Sequence, residues 1–316
     1  MDGISLIVCA YNSKLEDILF TFESILRQKD ISFEIIFCDD GSKSIFENEI
    51  IKYFQDKKFN NYKLIYNKTN QGTVKNILSG LVYAQYSFTK VIGSGDALYN
   101  EFTLKDIVSF MKKNELDYCF SDAVYFYQDT ELLTFNVRQP ALLTPYDKYD
   151  KNYILKNLMI YNDFILGAAI FSRTETLKVD FNLLKDAIVY EEDAIVTASI
   201  IKGSKIAHFP HYGVYYEYGS GVSTSKNSKF SMLLYKDKES LFGYINESMP
   251  STLSKKALKI AHILGDTKNA KIKRLLLCPS KLIFKSKVNK ANKIEKEKVN
   301  YNYYNICKIE ARKYGI

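Results

Sequence analysis

Tryptophan is absent from this 316-residue chain, and proline occurs only five times and glycine fourteen. So little of the residues that break regular structure excludes a collagen-like or low-complexity protein. Cysteine is sparse and scattered: Cys9, Cys38, Cys119, Cys278 and Cys307 are odd in number and never spaced as CxxC. That pattern excludes a disulfide framework, and Cys9 and Cys38, inside apolar runs, read as small core hydrophobes of a reduced compartment. No apolar run approaches the roughly 18 residues of a membrane-spanning helix; residues 164–171 form one of the longest. A strand pattern begins almost at once, at Ile4, which does not resemble a signal peptide. The expectation is a cytoplasmic protein, free or peripheral on the inner face of the cell membrane.

What the chain does have is ample apolar content, 47%, with 14% aromatic residues, enough for a large core without metal or disulfide. Its charge is lopsided. Residues 226–316 hold 21 Lys or Arg against 7 Asp or Glu, a net of +14, whereas residues 1–225 hold 23 against 29, a net of −6. Two units are expected on this basis, a catalytic body over 1–225 and a basic, mainly helical region over 226–316. The body would do chemistry, and the basic region would either meet an anionic surface or pack on the body as a helical extension with its lysines merely solvated.

Over the first 125 residues short apolar runs (Ile4–Ala10, Phe33–Cys38, Lys63–Tyr66, around Val91–Ile92, Tyr118–Tyr125) alternate with stretches of helical spacing near 15–28, 44–56, 73–86 and 101–113. This alternation predicts βαβ units, an α/β fold with a mostly parallel sheet flanked by helices. Further helices are expected near 150–160, from Glu191 to about Ile201, and at 230–247, 252–264 and 268–277. Extended pieces are expected near 131–138, 166–172 and His208–Tyr218. Sheets of this kind bind ligands at the carboxyl ends of their strands, so the residues after each strand carry the functional information.

After the first strand comes Cys9-Ala10-Tyr11-Asn12-Ser13, where Tyr11 can stack on a planar base, or Asn12 and Ser13 can simply cap the next helix. No GxGxxG follows this strand, which disfavours a dinucleotide cofactor. After the second comes Asp39-Asp40-Gly41-Ser42, two carboxylates that either accept from a nucleoside or close an Asx-turn. Asn70-Gln71-Gly72-Thr73-Val74-Lys75 then opens a helix whose Lys75 can face a phosphate or only solvent. Gly93-Ser94-Gly95-Asp96 offers close backbone approach and one carboxylate, the way Mg²⁺ or Mn²⁺ is held when substrate phosphates complete the shell. Glu191-Glu192-Asp193 opens another helix, where acids suit the dipole but also supply a candidate base. A Gly/Ser loop, Gly219 to Thr224, follows an aromatic strand in which His208 and His211 are more easily read as structural than as ligands.

In this order the motifs over about residues 3–225 resemble the family 2 glycosyltransferases of GT-A fold, the type that builds bacterial capsule and other surface polysaccharides. The resemblance implies a metal-dependent, inverting hexosyl- or related transferase. Cys9, Ala10 and Tyr11 would pack on the nucleotide base, Asp40 would hold it, and Lys75, Ser94 and Gly95 would line the nucleotide. Asp96 would bind Mn²⁺ or Mg²⁺ on the diphosphate, Asp193 with Glu192 before it would supply the catalytic base, and Gly221 and Ser223 would belong to a donor and acceptor loop. Ser94 and Gly95 replace the first acid of the family's usual Asp-x-Asp, leaving Asp96 to supply the carboxylate. The Gln-x-x-Arg-Trp motif of processive synthases is missing. The implied partners are a nucleotide-sugar donor, a UDP-sugar before others, and a glycan or lipid-linked acceptor; the Lys-rich amphipathic segments of the basic region add an anionic membrane as a candidate, and nucleic acid is not expected. The rival reading is a non-catalytic nucleotide-sugar-binding protein docked to membrane through the same region.

Overall fold

The computed structural model describes residues 2–126, 140–191, 194–219, 228–265, 267–291 and 299–314. Eight strands form one sheet: β1 (Ile4–Ala10), β2 (Phe33–Asp39), β3 (Tyr62–Tyr66), β4 (Phe88–Gly93), β5 (Ala97–Leu98), β6 (Tyr118–Phe126), β7 (Ile170–Arg173) and β8 (Ile206–Glu217), in the order β3-β2-β1-β4-β7-β6-β8-β5. β3, β2, β1 and β4 are parallel; β7 is antiparallel to both its neighbours, β8 runs parallel to β6, and β5 is antiparallel to β8. Strand order turns back between β1 and β4, the position at which sheets of this kind bind ligands at their carboxyl ends.

Helices α1 (Leu15–Leu26), α2 (Glu47–Asp56), α3 (Thr73–Leu81) and α4 (Thr103–Lys113) follow the expected alternation. Next come the short α5 (Thr144–Asp147) and α6 (Lys151–Lys156), the latter continued by a π turn over Asn157–Tyr161. They are followed by α7 (Thr174–Leu184), α8 (Ile195–Lys202), α9 (Ser228–Ser248), α10 (Thr252–Ala261), α11 (Lys268–Leu277), α12 (Lys281–Ala291) and α13 (Asn302–Arg312). None of the described helices is long and apolar enough to cross a membrane.

Alternate residues of the central strands feed two cores. Ile4, Leu6 and Val8 of β1, with Ile35 and Phe37 of β2, face α1, α2 and α4, while Ile7, Ile36 and Cys38 face α3, α7 and α8. Both faces are buried, which is why these strands read as unbroken apolar runs. α13 returns to the first core and lies on α1. Tyr304 packs within about 5 Å of the rings of Phe20, Phe126 and Tyr215, and Tyr303 Oη donates to the Ser24 carbonyl at 2.7 Å. Arg312 pairs with Glu16 at 2.8 Å. The last turns of the basic region are therefore part of the body's core.

The structure places α7 where the sequence shows little helical periodicity, and shortens α3 to nine residues. The predicted extended piece at 131–138 lies outside the described residues.

Tyr304→Ala removes an aromatic side chain from three ring contacts and should cost about 3 kcal/mol of unfolding free energy, measured by urea denaturation. A value near zero would mean that α13 is only loosely applied to α1.

Candidate active site

Three strand ends are tied into one floor. Asp40 N–H donates to the Ala10 carbonyl at 2.9 Å and Ser94 N–H to the Cys9 carbonyl at 2.9 Å, extending the ladder past the strands. Asn12 N–H then donates to Ser42 Oγ at 2.6 Å, Asn12 Oδ1 accepts from Lys43 N–H at 3.1 Å, and Ser13 Oγ lies 2.6 Å from Ser94 Oγ. Asn12 and Ser13 are thus not helix caps. The N-cap of α1 is Lys14, without a side-chain bond, and Asn12 and Ser13 instead hold the turns after β1, β2 and β4 together. Tyr11, 51% exposed, stands out from this floor with its ring available for stacking.

The two acids of Asp39-Asp40 are used differently. Asp39 Oδ1 accepts from Ser42 N–H at 2.7 Å and closes the turn. Asp40 reaches across to the start of α3, accepting from Gln71 N–H at 3.0 Å and Gly72 N–H at 2.9 Å. Burial nevertheless pushes the Asp40 carboxyl up, against the pull of these amides and Asn67. Gly72, at φ +88°, caps α3 in place of Thr73, and a Cβ there would lie 2.4 Å from Val189 Cγ1. Only glycine lets Val189 come so close, and Val74 N–H fixes the approach by donating to the Val189 carbonyl at 3.0 Å. Lys75 is exposed in the first turn of α3.

The segment beginning at Val189 is held from its other side by α9. Asp237 Oδ2 accepts from three consecutive amides, Val189 at 3.1 Å, Tyr190 at 2.6 Å and Glu191 at 3.1 Å, and Lys238 pairs with Glu191 at 3.2 Å. The backbone just before Glu192-Asp193 is therefore fixed on two sides. Glu192 and Asp193 themselves, like Gly221 and Ser223, lie outside the described residues.

Asp96, like Asp39 and Asp40, is buried. Its Oδ1 accepts from Glu217 N–H at 2.9 Å, and its main-chain carbonyl accepts from Thr21 Oγ1 at 2.7 Å. Burial pushes its carboxyl up to about 7; the Glu217 carboxylate adds to this, while the Glu217 N–H and the buried Lys90 offset part of it. Lys90 Nζ donates to the Ala168 and Ile170 carbonyls. Gly95, at φ +100°, leaves room for Glu217: a Cβ there would stand 2.3 Å from Glu217 Oε2. Asp96 and Glu217, both buried and linked through the Glu217 amide, fit a divalent cation, whose charge would replace the proton that burial favours at Asp96. Among the described residues no group of three or more His, Cys, Asp or Glu stands ready to hold a metal, so a cation here would depend on oxygens from a ligand.

A model of the family described as glycosyl transferase family 2 matches residues 5–173, more than half of the chain. The chain belongs to glycosyl transferase family 2. Among solved structures it is similar to crystal structures of S. aureus TarS. Against residues 1–349 in complex with UDP-GlcNAc the identity is 18% and the TM-score 0.57, covering 98% of this chain and 92% of that one. Against the complex with UDP they are 16% and 0.53, covering 98% and 91%. Against a longer TarS chain they are 18% and 0.56, covering 84% of this chain but only 44% of that one. At such identities the likeness shows the fold, a GT-A fold with a helical region after it. None of the curated proteins compared matches the chain in sequence.

The structure brings Cys9, Ala10, Tyr11, Asp40, Lys75, Ser94, Gly95 and Asp96 to the carboxyl edge of the sheet. His208 and His211 take no part in that floor: His208 lies 3.2 Å from Asp122 Oδ1 and against Phe120, and His211 rests on Phe209. Two acids went unpredicted. Glu217 carries a faint signal, a lone carboxylate in the aromatic strand Tyr215-Tyr216-Glu217-Tyr218, whereas Asp237 sits in a Lys-rich helix without any.

With its carboxyl at about 7, native Asp96 holds a proton that the unfolded chain releases near pH 4. In chelator the chain should lose stability as pH rises from about 4 to 7, and Asp96→Asn should flatten that part of a plot of melting temperature against pH. Asp237→Ala should cost about 2 kcal/mol, since three partly buried amides lose a charged acceptor; an unchanged denaturation midpoint would show that α9 does not hold the segment.

Proposed function

We propose that the protein is an inverting glycosyltransferase that moves a sugar from a nucleoside-diphosphate donor, a UDP-sugar before others, to a hydroxyl of a glycan or lipid-linked acceptor in bacterial surface polysaccharide assembly. The observation that carries this reading is the buried Asp96-Glu217 pair at the point where strand order reverses. Carboxylates are kept there, at a cost in charge burial, where a cation-bound diphosphate would lie. The TarS complexes with UDP-GlcNAc and UDP support the choice of donor.

On this reading the base lies against Tyr11 beside the Asp39-Asp40 turn, and Lys75 faces the phosphates from the first turn of α3. Asp96, with Glu217 beside it, would hold Mn²⁺ or Mg²⁺, which when bound neutralises charge on the departing diphosphate. Asp193, after the segment anchored by Asp237 and Val74, accepts the proton of the acceptor hydroxyl. That oxygen then bonds to the anomeric carbon from the face opposite the diphosphate. The bond from the anomeric carbon to the diphosphate oxygen breaks, and the nucleoside diphosphate leaves with the electron pair. Glu192 is assigned to the catalytic pair with Asp193, Gly221 and Ser223 to a donor and acceptor loop, and residues 1–225 to the unit that carries the chemistry.

The test is a screen of UDP-, GDP- and dTDP-sugars, with and without Mn²⁺, read by thermal shift and by release of free nucleotide. One nucleotide class should raise the melting temperature in a metal-dependent way and be slowly hydrolysed. Asp193→Asn should keep that shift and lower turnover about 10²–10⁴-fold. Binding without turnover under any condition would favour the non-catalytic nucleotide-sugar-binding protein, and full turnover by Asp193→Asn would remove Asp193 as the base.

A further inference from the structure

Residues 268–291, which contain α11 and α12, carry eight Lys or Arg and no Asp or Glu. Their inward side is already committed. Ala270, Cys278 and Phe284 are buried, Phe284 stacks on Tyr161 with ring centres 4.6 Å apart, and Tyr161 Oη bonds to Ser280 Oγ at 3.1 Å. The corner is thus mounted firmly on the π turn after α6. Apolar side chains also face outward: Leu276 is 75% and Ile283 65% exposed, with Ile272, Leu277 and Leu282 exposed beside them. Leu276, Leu277, Leu282 and Ile283 fall within eight residues of chain on either side of the turn that joins the two helices.

Leu276, Leu282 and Ile283, more than half exposed, could be polar at little cost to the fold. Single exposed apolar residues are ordinary, but a cluster of them inside a purely cationic segment marks a partner surface. Among the described residues no acidic side chain forms an ion pair with Lys268, Lys273, Lys281, Lys285 or Lys287. The cations crowd one another instead: Lys281 is pushed below the usual lysine range by its partial burial and then by Arg274, Lys285 and Lys238. The partner must therefore bring negative charge and an apolar layer together.

We propose that the α11–α12 corner is the edge by which the protein lies on an anionic lipid bilayer, with Leu276, Leu277, Leu282 and Ile283 entering the interface and the flanking lysines meeting lipid phosphates. A second copy of the chain does not fit, because a self-interface would set two all-cationic segments against each other. Nucleic acid supplies the charge but leaves the aliphatic side chains in water. α10, also Lys-rich, is not part of this edge: its Ala257 and Ala261 are buried and its lysines lack an exposed aliphatic cluster. The inference gives the lipid-linked acceptor proposed above a place to reside, and its biological sense rests on that reading. The binding itself is tested without donor or acceptor.

The full chain is sedimented with vesicles of phosphatidylglycerol and phosphatidylcholine, and with phosphatidylcholine alone, at low and high salt. Binding to the anionic vesicles only, weakened by salt, is expected. Lys281→Gln with Lys285→Gln should weaken it about tenfold or more. Leu276→Ser with Ile283→Ser should weaken it to a similar degree with every charge kept, while the melting temperature stays unchanged because both side chains are exposed. Nucleotide release from a soluble donor should be the same in all variants, so failure of the edge and failure of the transferase reading are told apart. Wild-type protein left in the supernatant, or serine variants that bind as wild type does, would overturn the proposal. So would a lipid-free dimer that the serine variants dissociate, or equal binding of wild type and serine variants to single-stranded RNA in competition with the vesicles.

Discussion

A carboxylate taken out of water must be given hydrogen bonds or a cation, or it keeps its proton. The carboxyl edge of this sheet is built around that constraint. Asp39 is given the Ser42 amide, Asp40 the amides of Gln71 and Gly72, and Asp237 three amides in a row. Asp39 closes a local turn, whereas Asp40 and Asp237 join pieces of chain distant in sequence: β2 to α3, and α9 to the segment before α8. Asp96 is treated differently. It receives the Glu217 amide together with the Glu217 carboxylate, and its carboxyl stands near 7. Of these acids it is the one whose burial the fold compensates least, and so the one with most to gain from a bound cation.

The same reasoning explains why small residues stand where they do. At Gly72 and Gly95 the backbone takes a positive φ, and any Cβ would occupy the space of Val189 or Glu217. These positions let separate segments close on the floor without a side chain between them. Thr21 serves a related end from α1: its hydroxyl bonds to the Asp96 carbonyl while the Gly95 amide donates to it at 3.0 Å. The loop after β4 is thereby pinned to the helix after β1, and the Ser13-Ser94 contact ties the same two elements a second time.

Much of this was legible in the sequence because the body is assembled from local βαβ units whose period and turn residues are strong. The ends of β1, β2 and β4 could be read from Tyr11, Asp40 and Asp96, since acids and glycines directly after an apolar run have few structural excuses. What could not be read are the long-range closures. Asn12 and Ser13 look like caps in sequence but act as ties between loops 30 and 81 residues away. Asp237 is an ordinary surface acid by its neighbours, and only the packing of α9 against the 189–191 segment makes it a clamp. α7 escaped because Val179 and Leu183 are exposed while Asp180 is buried against Tyr118 Oη at 2.7 Å, which blurs the apolar stripe that helical periodicity relies on.

The basic region shows how one composition serves two ends. α13 and the α11–α12 corner both lie in the region of net positive charge, and that charge alone assigns both to the same role. They differ in where their apolar residues go. Tyr304, Cys307 and Ala311 of α13 are buried on α1, so its outer face carries charged residues with Ile306 and Ile309 exposed among them, and Arg312 and Lys313 find the carboxylates of Glu16 and Glu310. In α11 and α12 the small or aromatic residues Ala270, Cys278 and Phe284 complete the inward packing, and the leucines and isoleucines are left over. A lysine beside a buried stripe is solvation, whereas a lysine beside an exposed one is half of an interface. Charge asymmetry along the chain points to a surface-seeking region, and the direction of its apolar side chains decides which part of it does the seeking.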